Sequence, residues 1–229
     1  EQEIREFGAT TRELLALADW LEQGGCEMVA MESTASYWKP LYNILETSNL
    51  PAMVVNARHM KAVPGRKTDV KDAEWIADLL QHGLLQASYI PDKAQRELRE
   101  LVGYRKSLVA DRTRELNRLQ KMLEGANIKL SGTVAEINGM SARIILNELL
   151  DGKTIDKTRL EEMKKQKIIA HNLRASFDQI ADDLNGVMSP LQNKMMRELL
   201  KHIDELNVHI KNLDEDIDNH MNDEEKKAT

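Results

Sequence analysis

Three acids have the spacing most suited to chemistry. Glu32 follows directly on the short, mostly apolar run Cys26 to Met31 (CEMVAM), and Asp69 and Asp72 stand three positions apart. A run of that kind suits a strand inside a sheet. In open α/β sheets, ligands and catalytic groups gather at the C-terminal ends of strands. Residues three apart on a helix share a face, so both aspartates would project together. Glu32, Asp69 and Asp72 therefore offer hard oxygen ligands to Mg²⁺ (or Mn²⁺). Such ions, used in pairs, activate an attacking oxygen and stabilise a leaving one in phosphoryl transfer. A plainer reading exists. Asp is a favoured helix N-cap, first-turn acids suit the helix dipole, and a Glu ending a strand is often only solvated. The flanking loop favours chemistry. Arg58, Lys61, Arg66, Lys67 and Lys71 face a single acid, Asp69, in a stretch broken by Pro64-Gly65. Cations in that number hold a phosphate backbone, and a helix cap has no need of them.

The elements around these residues follow from periodicity. Residues 1–7 (EQEIREF) alternate polar and apolar like a half-buried strand. Thr10 to Glu13 has the form of a capping box, and Leu14, Leu15, Leu17, Ala18 and Leu21 then make an apolar helical stripe that Gly24-Gly25 ends. CEMVAM is the next strand, a helix with Pro40 in its first turn spans about 38–48, and Ala52 to Val55 is a further strand. Strand and helix alternating in this way predict an α/β unit with a parallel sheet. A helix over about 69–82 buries Trp75, Ile76, Leu79 and Leu80 and ends at Gly83. Beyond Pro91 the pattern is helical: a long helix over 93–123, then shorter ones near 133–150, 156–168 and 171–184. The long helix carries Arg96, Arg99, Arg105, Arg112, Arg114 and Arg118, a stripe suited to structured nucleic acid or to a solvated face. Met196, Leu199, Ile203, Leu206, Ile210, Leu213 and Ile217 alternate by three and four. That is the seam of a coiled coil, and it predicts self-association through 190–221; one amphipathic helix packed on its own domain is the alternative.

Composition bounds the rest. The 229 residues carry 38 acids against 32 Lys and Arg, a net charge of −6, which argues against a general nucleic-acid binder while leaving local basic stripes possible. Eight of the nine aromatics lie in the first 104 positions and only Phe177 comes later. Aromatics bring large buried areas, so the compact core is expected in the N-terminal half. No apolar run reaches the roughly 18 residues needed to cross a bilayer, and no signal segment opens the chain. The lone Cys26 excludes a disulfide framework, and the six His show no metal spacing. An intracellular place follows by default.

Two stretches, VAMESTASYWKPLYNIL and VVNARHMKAVPGRKTDVKDAEWIADLLQHGLL, resemble the transposases of the insertion-sequence-110 family, the bridge-RNA-guided DEDD group. The resemblance is close to about residue 125. It implies an RNase-H-like (RuvC-like) α/β domain followed by an all-α region ending in a coiled coil. The corresponding division is 1–125 for the RuvC-like domain with its basic helix, 126–185 for a helical connector and 186–229 for the coiled coil with an acidic tail. In the family's Asp, Glu, Asp, Asp tetrad, Glu32 matches the Glu of the M-E-S-T motif, and Asp69 and Asp72 match K-T-D-x-x-D. The first Asp is expected upstream of Glu1 and the nucleophilic serine beyond Thr229, so the chain reads as a fragment, inactive alone. The resemblance further implies DNA recombination with Mg²⁺ or Mn²⁺ and a structured guide (bridge) RNA. Local positive charge predicts nucleic-acid contacts at Arg58, Lys61, Arg66, Lys67, Lys71, Arg105 and Arg112, and the apolar seam predicts a homo-oligomer, dimer or tetramer, joined through the coiled coil. The resemblance places the protein in the cytoplasm of a bacterial or archaeal cell, at the nucleoid. Other readings of the same residues are a RuvC-like nuclease or Holliday-junction resolvase using two-metal hydrolysis, and a non-catalytic coiled-coil assembly module.

Overall fold

The computed structural model describes residues 3–56, 69–133, 137–169 and 175–221, without the side chains of residues 69–71 and 133. The chain divides into two compact units, Glu1–Asp92 and Lys93–Thr229. By its contacts the long helix falls with the second unit.

The first unit opens with α1 (Thr11–Gln23), whose N-cap Thr10 accepts a hydrogen bond from the Glu13 amide. Strand β1 (Val29–Glu32), helix α2 (Trp38–Thr47) and strand β2 (Ala52–Val55) follow. The two strands pair in parallel, Val29 beside Ala52 through Glu32 beside Val55, so α2 is the crossover that a parallel pair requires. Helix α3 (Asp69–Gln81) closes the unit. Its end uses Gly83 at φ +65, whose amide bonds Leu80 O while the Leu84 amide bonds Leu79 O, the left-handed stop that favours glycine. Residues 3–7 are not a strand. They have no ladder partner among the described residues and Ile4 is 54% exposed. The segment is held by α1 instead: Phe7 stacks on Trp20 at 5.6 Å, and Trp20 Nε1 donates to Glu3. Alternation supplied the β pattern, but contacts with a helix determined the structure.

The second unit is helical throughout its described residues: α4 (Lys93–Gly125), α5 (Leu130–Thr133), α6 (Met140–Leu150), α7 (Lys157–Lys165), α8 (Phe177–Asp183) and α9 (Pro190–His220). Ser189 and Gln192 cap α9 reciprocally, with Pro190 in the first turn. Helices α4 and α9 run antiparallel, since Arg105 meets Asp214, Arg112 meets Asn207 and Glu115 faces His202. The seam expected to join copies is filled within the chain: Leu206 and Ile210 pack on Leu108, and Met196, Leu200 and Ile203 share a core with Leu119 and Leu123. That same core takes in Ile128, Ile145, Leu146, Leu160, Met163 and Ile180. The expected connector and coiled coil are therefore parts of one body. Gly186 lies so close to the Ala126 carbonyl that a Cβ there would stand 2.3 Å from it, which is why a glycine sits at this crossing.

The expectation of an N-terminal core is also overturned. The largest buried cluster lies in the second unit and is built from Leu, Ile, Met and Ala. All nine aromatics are described and none is buried; Tyr37 and Tyr89 are each 81% exposed.

Candidate active site

The sheet sorts its side chains by the alternation of the pleat. On one face, Val29, Met31, Ala52 and Val54 pack with Ala18 and Leu21 of α1 and with Leu41 and Leu45 of α2. Met53 and Val55 take the other face, against Trp75, Ile76 and Leu79 of α3. Glu32 pairs in register with Val55 and differs in parity from Met31, so it belongs to the face that α3 covers. Asp72 is half-buried in the first turn of α3. It stands four and seven residues before Ile76 and Leu79, the residues that pack toward that face, and so shares their side of the helix. The fold therefore brings Glu32 and Asp72 to one surface of the sheet. Asp69 begins α3, and its side chain is outside the described residues.

The turn after β1 holds Glu32 in place. The Ser33 amide donates to Val55 O at 2.9 Å, extending the ladder by one bond, and the Thr34 amide donates to Glu32 O at 3.0 Å. The Thr34 hydroxyl then donates to Glu32 Oε1 at 3.0 Å. Ala35 follows with φ 47, a left-handed conformation that costs a non-glycine residue about 1 kcal/mol or more. Thr34 was missed as a site residue in the sequence, although a hydroxyl two positions after a strand-ending acid is the available signal.

Among the described residues this arrangement offers oxygen ligands, which suits a hard divalent cation rather than a soft one. Among the described residues, no group of three or more His, Cys, Asp and Glu gathers closely enough to hold a metal. Glu32 and Asp72 are two of the three expected ligands, and the third side chain, that of Asp69, is not among the described ones.

The expected basic positions divide. Arg58, Lys61, Arg66 and Lys67 lie outside the described residues, as does the side chain of Lys71. Arg105 and Arg112 have partners within the chain. Arg105 grips both oxygens of Asp214, through Nε and through Nη2 at 3.2 Å, and Arg112 Nη1 donates to Asn207 Oδ1 at 3.0 Å. The hydrogen bond to Asp214 raises the Arg105 pKa above its ordinary value and lowers that of Asp214. Both arginines pin α4 to α9. Sequence periodicity placed them on a polar face without showing that a second helix supplies their partners.

A strand that ends in a glutamate, with an aspartate-bearing helix laid on the same face, is the α/β arrangement the described residues show. The family model of DEDD transposases of the insertion-sequence-110 type matches residues 2–128, more than half of the chain, and includes Glu32, Asp69 and Asp72. The chain belongs to this family of transposases, enzymes that act on DNA. The family match suggests an RNase-H-like fold; the described residues contain a two-stranded parallel sheet among helices. No curated protein matches the sequence. No helix among the described residues is long and apolar enough to cross a membrane.

Proposed function

We propose that Glu32, Asp69 and Asp72 hold one or two divalent cations, Mg²⁺ or Mn²⁺, in a recombinase of a mobile element whose DNA partners are selected by a structured guide RNA. One observation carries the metal assignment: Glu32 lies on the sheet face covered by the helix that bears Asp72. Asp69 is three positions before Asp72 on that helix and is assigned to the same cluster. When bound, such a cation polarises a phosphate oxygen and relieves the repulsion among the gathered carboxylates. The chain's own residues do the positioning. Glu32 and Asp72 supply oxygen ligands, and Thr34 fixes the rotation of the Glu32 carboxylate. Arg58, Lys61, Arg66, Lys67 and Lys71 are assigned to the DNA backbone beside the acids. No residue of this chain is assigned the family's first Asp or its nucleophilic serine. The proposed setting is the cytoplasm of a bacterial or archaeal cell, at the nucleoid. Assembly into a dimer or tetramer through α4 and α9 would use their outer sides, because the inner seam is filled.

Mn²⁺ binding, followed by electron paramagnetic resonance, tests the assignment. With two or three protein carboxylates, affinity is expected on the order of millimolar. Glu32→Ala and Asp72→Ala should each weaken it severalfold while leaving the circular dichroism spectrum unchanged. Binding equal to the parent in both variants would remove the metal role from these residues.

A further inference from the structure

Helices α4 and α9 are packed along one seam yet differ in charge. Helix α4 carries nine Lys and Arg against five acids, whereas α9 carries four against seven. The inward arginines of α4 are held by α9. On the side of α4 turned away from the seam, successive turns present Arg99, Gly103, Lys106, Ala110, Asn117 and Lys121, all exposed. One acid of α4, Glu124, falls on this side at the C-terminal end and is paired with Lys129; the other four are elsewhere. Glu97, Glu100, Asp111 and Glu115 fall on one flank of the helix, where Asp111 and Glu115 pair with Arg114 and Arg118. Arg99, Lys106 and Lys121 have no hydrogen bond or ion pair among the described residues. The outer lysines of α9 behave differently: Lys201 and Lys211 lie beside Glu205 and Glu215 on the next turn, at 4.0 and 3.7 Å.

Three cations without a partner among the described residues, on a face whose single acid is held by Lys129, are unusual in a chain of net charge −6, and the spacing of this face suits an extended polyanion. At 1.5 Å per residue the three cations span about 33 Å, close to one turn of B-form DNA. Between them Gly103 and Ala110 keep the helix surface low, and a Cβ at residue 103 would have no heavy atom within 4 Å. A bulky sugar-phosphate backbone can approach there while the long cationic side chains reach to either side.

We propose that this outward face of α4 docks on the phosphate backbone of duplex DNA, independently of sequence, through Arg99, Lys106 and Lys121. The proposal rests on DNA as the protein's partner and moves the contact from Arg105 and Arg112, which hold the helix pair, to the three cations left open. Each phosphate neutralised releases counterions, adding about −0.9 to the slope of log affinity against log salt.

The test uses the 229-residue chain, two unrelated labelled 30-base-pair duplexes, and fluorescence anisotropy from 50 to 200 mM salt. Replacing Arg99, Lys106 and Lys121 together by Gln should lower affinity at least about tenfold for both duplexes and flatten the salt slope by about 2 to 3. The thermal melt should be unchanged, because all three side chains are exposed. Arg105→Gln with Arg112→Gln should lower the melting temperature and leave the slope as it was. A parent chain that binds neither duplex overturns the proposal together with direct DNA binding by these residues. A parent that binds with a steep slope, shared unchanged by the triple variant, overturns the α4 face alone. Loss of binding to double-stranded RNA but not to DNA would also overturn it.

Discussion

The unit rich in aromatics has the smaller cores, and the unit nearly without them has the larger one. In Glu1–Asp92 the buried residues form two patches on opposite faces of a two-stranded sheet, Ala18, Met31, Leu45 and Val54 on one and Val55 with Leu79 on the other. In Lys93–Thr229 one aliphatic cluster runs from Leu119 through Leu146 and Met163 to Ile203. The difference teaches how to read aromatics. They bring large contact area, but the chain need not be what they contact: Tyr37 and Tyr89 are 81% exposed. Leu and Ile at helical spacing are better witnesses of a core, because branched aliphatics have no other common use. The candidate catalytic acids belong to the less consolidated unit, as is usual where side chains must meet a substrate.

The sharpest way to break this comparison is a charge in the seam. Ile203 is fully buried, and an unpaired carboxylate there should cost more than about 4 kcal/mol. Ile203→Asp should therefore abolish the cooperative melt of the helical unit, seen by circular dichroism. Tyr37→Ser should stay within about 0.5 kcal/mol of the parent. If Ile203→Asp keeps its helix content and only halves the mass by light scattering, the seam joins copies and the in-chain core is wrong.

A milder pair of truncations sharpens the same contrast. Leu146 and Leu45 are both fully buried, one within the continuous cluster and one in a small patch. The cost of Leu→Ala depends on how far the surroundings can close over the gap. Leu146→Ala should cost about 4 kcal/mol and Leu45→Ala about 2 to 3, by chemical denaturation. Equal losses would mean that the first unit is as tightly built as the second.

Much of this was legible in the sequence, for identifiable reasons. Thr10, Pro40 and Gly83 mark ends because capping and φ requirements are local. Strands at 26–31 and 52–55 were legible because buried parallel strands are apolar on both faces, though the first proves to span Val29–Glu32 and to include the glutamate. Other features depend on partners far away in the chain. Residues 3–7 alternate like a strand, yet Trp20 decides where they lie. Arg105 and Asp214 are 109 positions apart, and no spacing rule joins them. At the site, Glu32 and Asp72 could be named from motif and parity, but the sheet face they share needed the register.

An ion pair in the second unit gives a smaller, pH-dependent effect. Arg159 donates to both oxygens of Glu148, at 3.0 and 2.5 Å, and Lys153 stands 3.5 Å from Oε1. The hydrogen bond from Arg159 holds the Glu148 carboxyl below its ordinary pKa. A lowered pKa means that the folded state favours the charged form. Its stabilisation is therefore present above the ordinary carboxylate range and lost as pH falls through the lowered value. Glu148→Gln should cost about 2 kcal/mol at pH 7 and about nothing once the acid is protonated in the parent. Melting temperatures of both proteins from pH 7 to pH 2 would check this; parallel curves would refute it.

The smallest effect on stability is expected at Thr34, and it bears most directly on the site. Thr34 is exposed, so Thr34→Val removes a hydroxyl without opening a cavity, and stability should change by less than about 0.5 kcal/mol. What it removes is the bond to Glu32 Oε1. Without it the carboxylate samples more rotamers, and a cation must order it on binding. Groups that orient metal ligands in this way commonly change affinity by about tenfold or more. Mn²⁺ affinity should fall by about that factor in Thr34→Val and return in Thr34→Ser, which restores the hydroxyl. Recombination activity should follow the same order. A structural role would lower the melting temperature and leave Mn²⁺ affinity alone. A positioning role does the reverse, so the pair of measurements separates the two. If Thr34→Val binds Mn²⁺ as the parent does, the turn after β1 shapes the loop only, and Glu32 is oriented by the sheet.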